Sequence, residues 1–184
     1  MLKKLSIILL LTLFILPACN VPGLSMPDDG PPIVVSEEAA QSLEQKVAQA
    51  AATAGQSTLT TTQEEVTSYL ALRLDALAAQ NGVQNPWQEP QVYFKENGQI
   101  VLRGDIEYEG YMQPIRLVAE PSAVAGLLQV NIVEGRIGPV PVPESILSQA
   151  EEQLGQAILA GQQYASLDEV RIEAGTLSLM GSRK

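Results

Sequence analysis

Histidine is missing from all 184 residues. That absence removes Ser-His-Asp and Cys-His catalysis and the usual zinc sites, which draw on an imidazole at neutral pH. Cysteine occurs once, at Cys19, so no disulfide can close within the chain. Aromatic residues are 4% of the sequence against 46% hydrophobic residues, so a core must be built from Leu, Val, Ile and Ala. Basic residues are few, 11 against 21 acidic, and the formal net charge is −10. An acidic surface argues against nucleic acid as a partner and against electrostatic adhesion to anionic lipid headgroups. There is no Gly-rich phosphate loop, and Ser145 and Ser148 have no base in sight. These absences disfavour an enzyme, and no cofactor or metal is expected.

Long hydrophobic runs are also lacking, apart from Leu5 to Leu16, which follows Lys3 and Lys4. As a helix that run spans roughly 18 Å, well short of the roughly 30 Å hydrocarbon core of a bilayer. It has the length of a signal-peptide apolar region. It ends in Leu16-Pro17-Ala18-Cys19, which resembles the lipobox of bacterial lipoproteins. The resemblance implies a signal peptide of residues 1–18, transfer of diacylglycerol to the Cys19 thiol, and cleavage before it. Two or three acyl chains bury tens of CH₂ groups at about 0.8 kcal/mol each, enough for lasting attachment. The expected location is the extracytoplasmic face of the cell membrane, or the outer membrane if one is present, since Asn20 rather than Asp follows the cysteine. Loss of the two lysines Lys3 and Lys4 takes the net charge from −10 to −12.

Residues 19–35 read as a lipidated Cys and a linker crowded with Pro22, Gly23, Pro27, Gly30, Pro31 and Pro32. In extended form it is a spacer of up to about 50 Å. Residues 36–184 then read as one α+β domain. Ser36 is placed as an N-cap before Glu37 and Glu38, with apolar spacing from Ala39 to Ala54 and a stop at Gly55. Ser57 to Thr61 is extended. Thr62 and Glu65 form a capping box, and Val66, Tyr69, Leu70, Leu74, Leu77 and Ala78 give a second helix over about 62–80.

From Gln91 the period becomes two. Asn97-Gly98 predicts a two-residue hairpin turn. Ile100, Leu102, Gly104, Ile106 and Tyr108 then share one face, while Val101, Arg103, Asp105, Glu107 and Glu109 share a solvated one. Strands from Ile115 to Ala119, ending at Pro121, and from Leu128 to Ile132 complete a meander. Pro139, Pro141 and Pro143 confine the next segment to an edge. A third helix runs from Glu144 to about Gln163. Val170 and Ile172 pair across Ala174-Gly175 with Leu177 and Leu179. The whole predicts three helices packed on a curved antiparallel sheet of about six strands.

The stretches 96–104 and 173–181 share the pattern E-x-G-x-φ-x-L-x-G, and an amphipathic helix precedes each. Trp87 and Tyr93, beside Pro86 and Pro90, are read as covering a core edge, with an aromatic contact patch as the alternative. The stretches 58–70, 97–104 and 138–143 resemble small membrane-anchored bacterial relatives of the tubular lipid-binding superfamily. The resemblance implies a curved sheet wrapped along a helix around an apolar groove. The leading expectation is a non-catalytic envelope lipoprotein, held to the membrane through Cys19, that binds lipid or another apolar molecule. Leu70, Leu74, Leu102, Ile106, Leu147 and Leu154 are the candidate lining. The alternative is a scaffold with a fully packed core that contacts another envelope protein.

Overall fold

The computed structural model describes residues 26–80, 85, 87–108, 110–162 and 165–183. The signal segment 1–18, Cys19 and residues 20–25 of the expected spacer lie outside the described residues, as do Glu109 and Gln163.

Local signals start the first two helices where the sequence places them. Helix α1 (Glu37–Ala52) opens on Ser36, whose Oγ accepts the Ala39 N–H at 3.1 Å. Strand β1 (Gln56–Thr62) follows and leads directly into α2 (Gln63–Gln80). The capping box closes as expected: Glu65 N–H donates to Thr62 Oγ1 at 3.2 Å, and Thr62 N–H donates to Glu65 Oε2 at 2.9 Å. The same carboxylate accepts Ser42 Oγ at 2.5 Å and Lys46 Nζ at 2.8 Å, so one cap also joins α1 to α2.

Strands β2 (Trp87–Phe94), β3 (Ile100–Tyr108), β4 (Tyr111–Val124), β5 (Leu127–Ile137) and the two-residue β6 (Val140–Pro141) form a five-stranded antiparallel sheet in chain order. Helix α3 (Glu144–Gly161) precedes β7 (Ala165–Glu173) and β8 (Thr176–Arg183). A second antiparallel sheet has the order β1-β8-β7. The protein is therefore α+β with three described helices, but its eight strands form two sheets rather than one of about six. The cause is the extended stretch before the capping box. It pairs along its length with β8, from Gln56↔Ser182 to Thr62↔Thr176, and draws the C-terminal hairpin away from the meander. The sheets meet where β7 lies against β4 and β5. Leu167 N–H donates to the Gly126 carbonyl at 2.9 Å, and Gly175 N–H to the Phe94 carbonyl at 3.0 Å.

Two local expectations are corrected. The Asn97-Gly98 hairpin has a three-residue loop, closed by Gly98 N–H to the Lys95 carbonyl (3.0 Å) and Lys95 N–H to the Gln99 carbonyl (2.9 Å). Strand β4 does not end at Pro121, which pairs with Val130. The N–H groups of Leu128 and Ile132 point away from β4, to side chains of α3 and the residue after it. By alternation Pro121↔Val130 is a pair without mutual hydrogen bonds, so the Pro121 nitrogen faces the side where β3 has already ended at Ile100↔Ala119. A missing N–H there breaks no ladder.

The largest departure concerns the sheet face opposite α3. Residues 26–35 lie across it as a strap. Asp29 is buried between Arg116 (Nε to Oδ2, 2.8 Å; Nη2 to Oδ1, 2.9 Å), Lys95 (3.7 Å) and Arg103 (3.9 Å). Ile33 packs with Tyr93, Val101 and Val118. Its backbone is gripped by Gln91, whose Oε1 accepts the Ile33 N–H at 2.6 Å and whose Nε2 donates to the Ile33 carbonyl at 3.3 Å. Tyr93 donates its hydroxyl to the Pro31 carbonyl, and Lys95 donates to that of Asp29. The boundary expected at residue 36 thus coincides with no change in packing. Val101, read as part of a solvated face, is 1% exposed. Further along that face Asp105 is half-exposed and Glu107 exposed, as alternation predicts.

Candidate functional site: an apolar trough

Cross-strand partners in an antiparallel sheet share a face. Val92 pairs with Leu102, Leu102 with Leu117, and Leu117 with Gly135, so these four form one row on the face away from the strap. Phe94, Ile100 and Ile106 lie on the same face by alternation. The row ends at Gly135 for a steric reason. A Cβ there would lie against Leu147 Cδ2, Leu117 Cδ2 and Val142 Cβ. The glycine thus makes the hollow in which Leu147 of α3 sits.

The two long helices border this floor. Helix α2 runs along the free edge of β2. Thr67, 0% exposed, accepts the Val92 N–H on its Oγ1 at 2.9 Å. Helix α3 lies along β5. Glu151 Oε1 accepts the Ile132 N–H, and Gln162 Oε1 accepts the Leu128 N–H at 2.9 Å. Each helix satisfies edge-strand amides that would otherwise be open to another chain. The result is a trough with an aliphatic floor and a helix at each long edge.

The six candidate lining residues are distributed unevenly in it. Leu102 and Ile106 belong to the floor, and Leu147 sits over it at Gly135. Leu70 and Leu74 are on α2, one and two turns beyond Thr67. Leu154 is on α3 and is 38% exposed. Of the six, Leu102 pairs with Leu117, which flanks Gly135 together with Leu147, while Leu70 and Leu74 stand on the helix at the opposite edge from Leu147 and Leu154. None of the six is fully buried. The floor is closed at β2, where Val92 and Phe94 are buried, and at Ile115. Between these it is half-exposed at Ile100, Leu102, Ile106 and Leu117.

Two clefts open on the surface, the second along the α3 edge of this same sheet face. One of about 420 Å³ lies between α1 and β1, at Lys46, Ala50, Thr53, Thr58 and Leu59. The other, about 360 Å³, lies between α3 and the β4–β5 hairpin. It is lined by Leu127, Leu128, Val130, Glu151, Gly155 and Leu159. A Cβ on Gly155 would meet nothing within 4 Å, so this glycine is one reason the cleft is open. These residues were not among the sequence candidates. The signal available for them was a glycine inside a helical period, four residues before an apolar Leu159.

Glu151 is a carboxylate at the α3 edge of the floor. Two carboxylates are held by several donors away from the floor: Asp29, on the strap face, and Glu65, in the α1–α2 joint. Burial works against the charge of Asp29, but the hydrogen bonds from Arg116 and the charges of Arg116, Lys95 and Arg103 outweigh it and lower its pKa. Burial likewise opposes Glu65. Hydrogen bonds from Lys46, Ser42, the Thr62 amide and Thr61 prevail and bring it to about 2.

No known protein family matches the chain, and no curated protein is similar to it.

Proposed function

We propose that this protein is a membrane-anchored envelope lipoprotein, tethered through lipid on Cys19, whose domain binds the acyl chain of a lipid or another apolar molecule without catalysis. Its place is the extracytoplasmic face of the cell membrane, or the outer membrane of a cell that has one. The observation that carries the binding reading is the uneven burial of β3. Val101, on the strap face, is 1% exposed, whereas Ile100, Leu102 and Ile106 on the trough face stay half-exposed. A row of apolar side chains that keeps partial exposure on one sheet face is a candidate for contact with an apolar ligand. The helices at the trough edges and the aliphatic floor suit a flexible hydrocarbon better than a rigid polar ligand. The lipobox resemblance and the single Cys support the anchor.

One observation favours the scaffold reading: Leu147 already fills the hollow at Gly135 and covers part of the floor. The two readings separate on copurification. The full chain, isolated from membranes, is extracted and its bound small molecules analysed by mass spectrometry. The binding reading expects a stoichiometric lipid or other apolar compound that a Leu102→Trp variant does not retain. Equal, substoichiometric lipid with both proteins would favour the scaffold.

A further inference from the structure

The end of the five-stranded sheet where β3 turns into β4 carries apolar side chains that stay exposed among the described residues. Tyr111, 72% exposed, opens β4, and the exposed Met112 follows it. The turn between β5 and β6 is tied to the same end by the Gly138 N–H to the Pro114 carbonyl at 2.7 Å. It presents Pro139 and Val140, the latter 62% exposed. Ile146, in the first turn of α3, is 53% exposed beside it. An aromatic ring with a polar tip, among exposed aliphatic and proline side chains, is a composition suited to the interface of a bilayer.

We propose that this end of the sheet rests on the bilayer to which Cys19 tethers the chain, with Tyr111, Met112, Val140 and Ile146 in the headgroup region. The inference rests on the anchor reading above, and the length of the tether carries it. The strap fixes Asp29 on β4 at Arg116, so ten residue steps lead from Cys19 to a fixed point on the sheet. They span at most about 33–36 Å. From Arg116 the chain reaches Tyr111 in five strand residues, about 17 Å, but Val124 at the opposite end only in eight, about 27 Å. The Tyr111 end comes to the membrane with slack in the tether. The opposite end comes down only with the tether drawn to about three quarters or more of its full reach. Glu107 and Glu144 are exposed near the patch, so the contact is apolar and weakens as the lipid becomes more anionic. The arrangement also puts Ile106, on the trough floor opposite Gln113, near the lipid.

The test uses the full chain, purified from membranes after its own processing and reconstituted in phosphatidylcholine vesicles with brominated acyl chains, which quench tryptophan within the bilayer. Trp87 pairs with Ile106 at this same end, so its own quenching is measured in the unsubstituted protein and subtracted. Tyr111→Trp adds a second emitter at the patch, and Val47→Trp adds one on an exposed position of α1. Emission added at position 111 should be quenched and that at 47 should not, and the quenching should fall when part of the lipid is replaced by phosphatidylglycerol. Unquenched emission at 111 in protein that floats with the vesicles overturns the resting face and leaves the anchor standing. Quenching at 111 in a Cys19→Ser protein that still floats supports the face and overturns the anchor. Protein that does not float overturns both.

Discussion

Asp29 and Arg116 lie 87 residues apart and share a two-point ion pair, Nε to Oδ2 at 2.8 Å and Nη2 to Oδ1 at 2.9 Å. Both side chains are almost fully buried, at 3% and 9% exposure. The remaining guanidinium nitrogen, Nη1, makes no hydrogen bond and lies 3.1 Å from Glu134 Oε2 as an ion-pair contact. The pair holds a proline-rich segment on a sheet face that periodicity alone leaves in water.

Removing one partner of such a pair strands the other charge. Asp29→Asn should lower unfolding free energy by about 3–5 kcal/mol, measured by urea denaturation, whereas replacing both partners with Leu should cost much less. A chain beginning at Ser36 should show a similar loss, because it lacks Ile33 as well. Equal stability of that truncated chain and one beginning at Met26 would mean that the strap contributes nothing.

The acid limb of stability should be set by Glu65 and Asp29. The pKa of Glu65 falls from an ordinary 4.5 to about 2 on folding, and that of Asp29 also falls. A depressed folded pKa gives stability that is complete above the unfolded value and lost as pH drops through the folded one. Unfolding free energy should therefore decline from about pH 5 toward pH 2. Glu65→Gln should be less stable at pH 7 and lose less over the same interval. Parallel pH profiles for the two proteins would contradict the assignment.

Gly104 and Gly181 should resist substitution for the same reason. Each faces a register shift in the neighbouring strand, between Gln88 and Gln91 for one and between Leu167 and Glu169 for the other. A Cβ at Gly104 would stand 2.8 Å from the Gln88 carbonyl, and one at Gly181 would run into the Ser166 carbonyl. Alanine at either position should cost about 1–3 kcal/mol. Gly155→Ala meets open space inside a helix and should instead stabilise by about 0.5–1 kcal/mol. Thermal unfolding of the three variants orders them.

If the trough holds an acyl chain, oleate or phospholipid should raise the melting temperature of the full chain. The gain corresponds to about 2.7 kcal/mol at a ligand concentration one hundred times Kd. Leu102→Trp should abolish the shift. A wild type without a shift, together with a loss of 3 kcal/mol or more in Leu102→Trp, would mean a packed floor and would leave the scaffold as the better reading.

Cys19→Ser should accumulate as uncleaved precursor without lipid. Incorporation of labelled palmitate at the wild-type level by this variant would refute the lipobox reading.

The paired glycines show how far the sequence reached. The shared pattern at 96–104 and 173–181 is realised as two hairpins, each following a helix, each with its final glycine opposite a bulge. Gly98 and Gly175 both adopt positive φ in their turns. The hairpins and their turn glycines were legible because a turn demands positive φ within a few residues, whereas the bulges opposite Gly104 and Gly181 emerge only from the strand register. The same holds for Ser36 and for Thr62 with Glu65, whose caps answer local N–H groups. Of the candidate trough, the side-chain alternation of β3 was legible; of the apolar stripe expected on α3, Leu147 and Ile158 are half-buried while Ile146, Leu154 and Leu159 are exposed.

Tertiary structure decided what local rules leave open. Period-two alternation sorts the side chains of β3 into two sets, but either set can be covered. Here Ile33 and Asp29 cover the set containing Val101, while the more apolar set containing Leu102 is left half-open. Nothing within the β3 sequence encodes a partner that comes from some seventy residues upstream. The pairing of Gln56–Thr62 with β8, and hence the division into two sheets, has the same origin. A strand's hydrogen-bonding edge is identical at every residue but proline, so its neighbour is chosen by the packing of the whole chain and not by the strand itself.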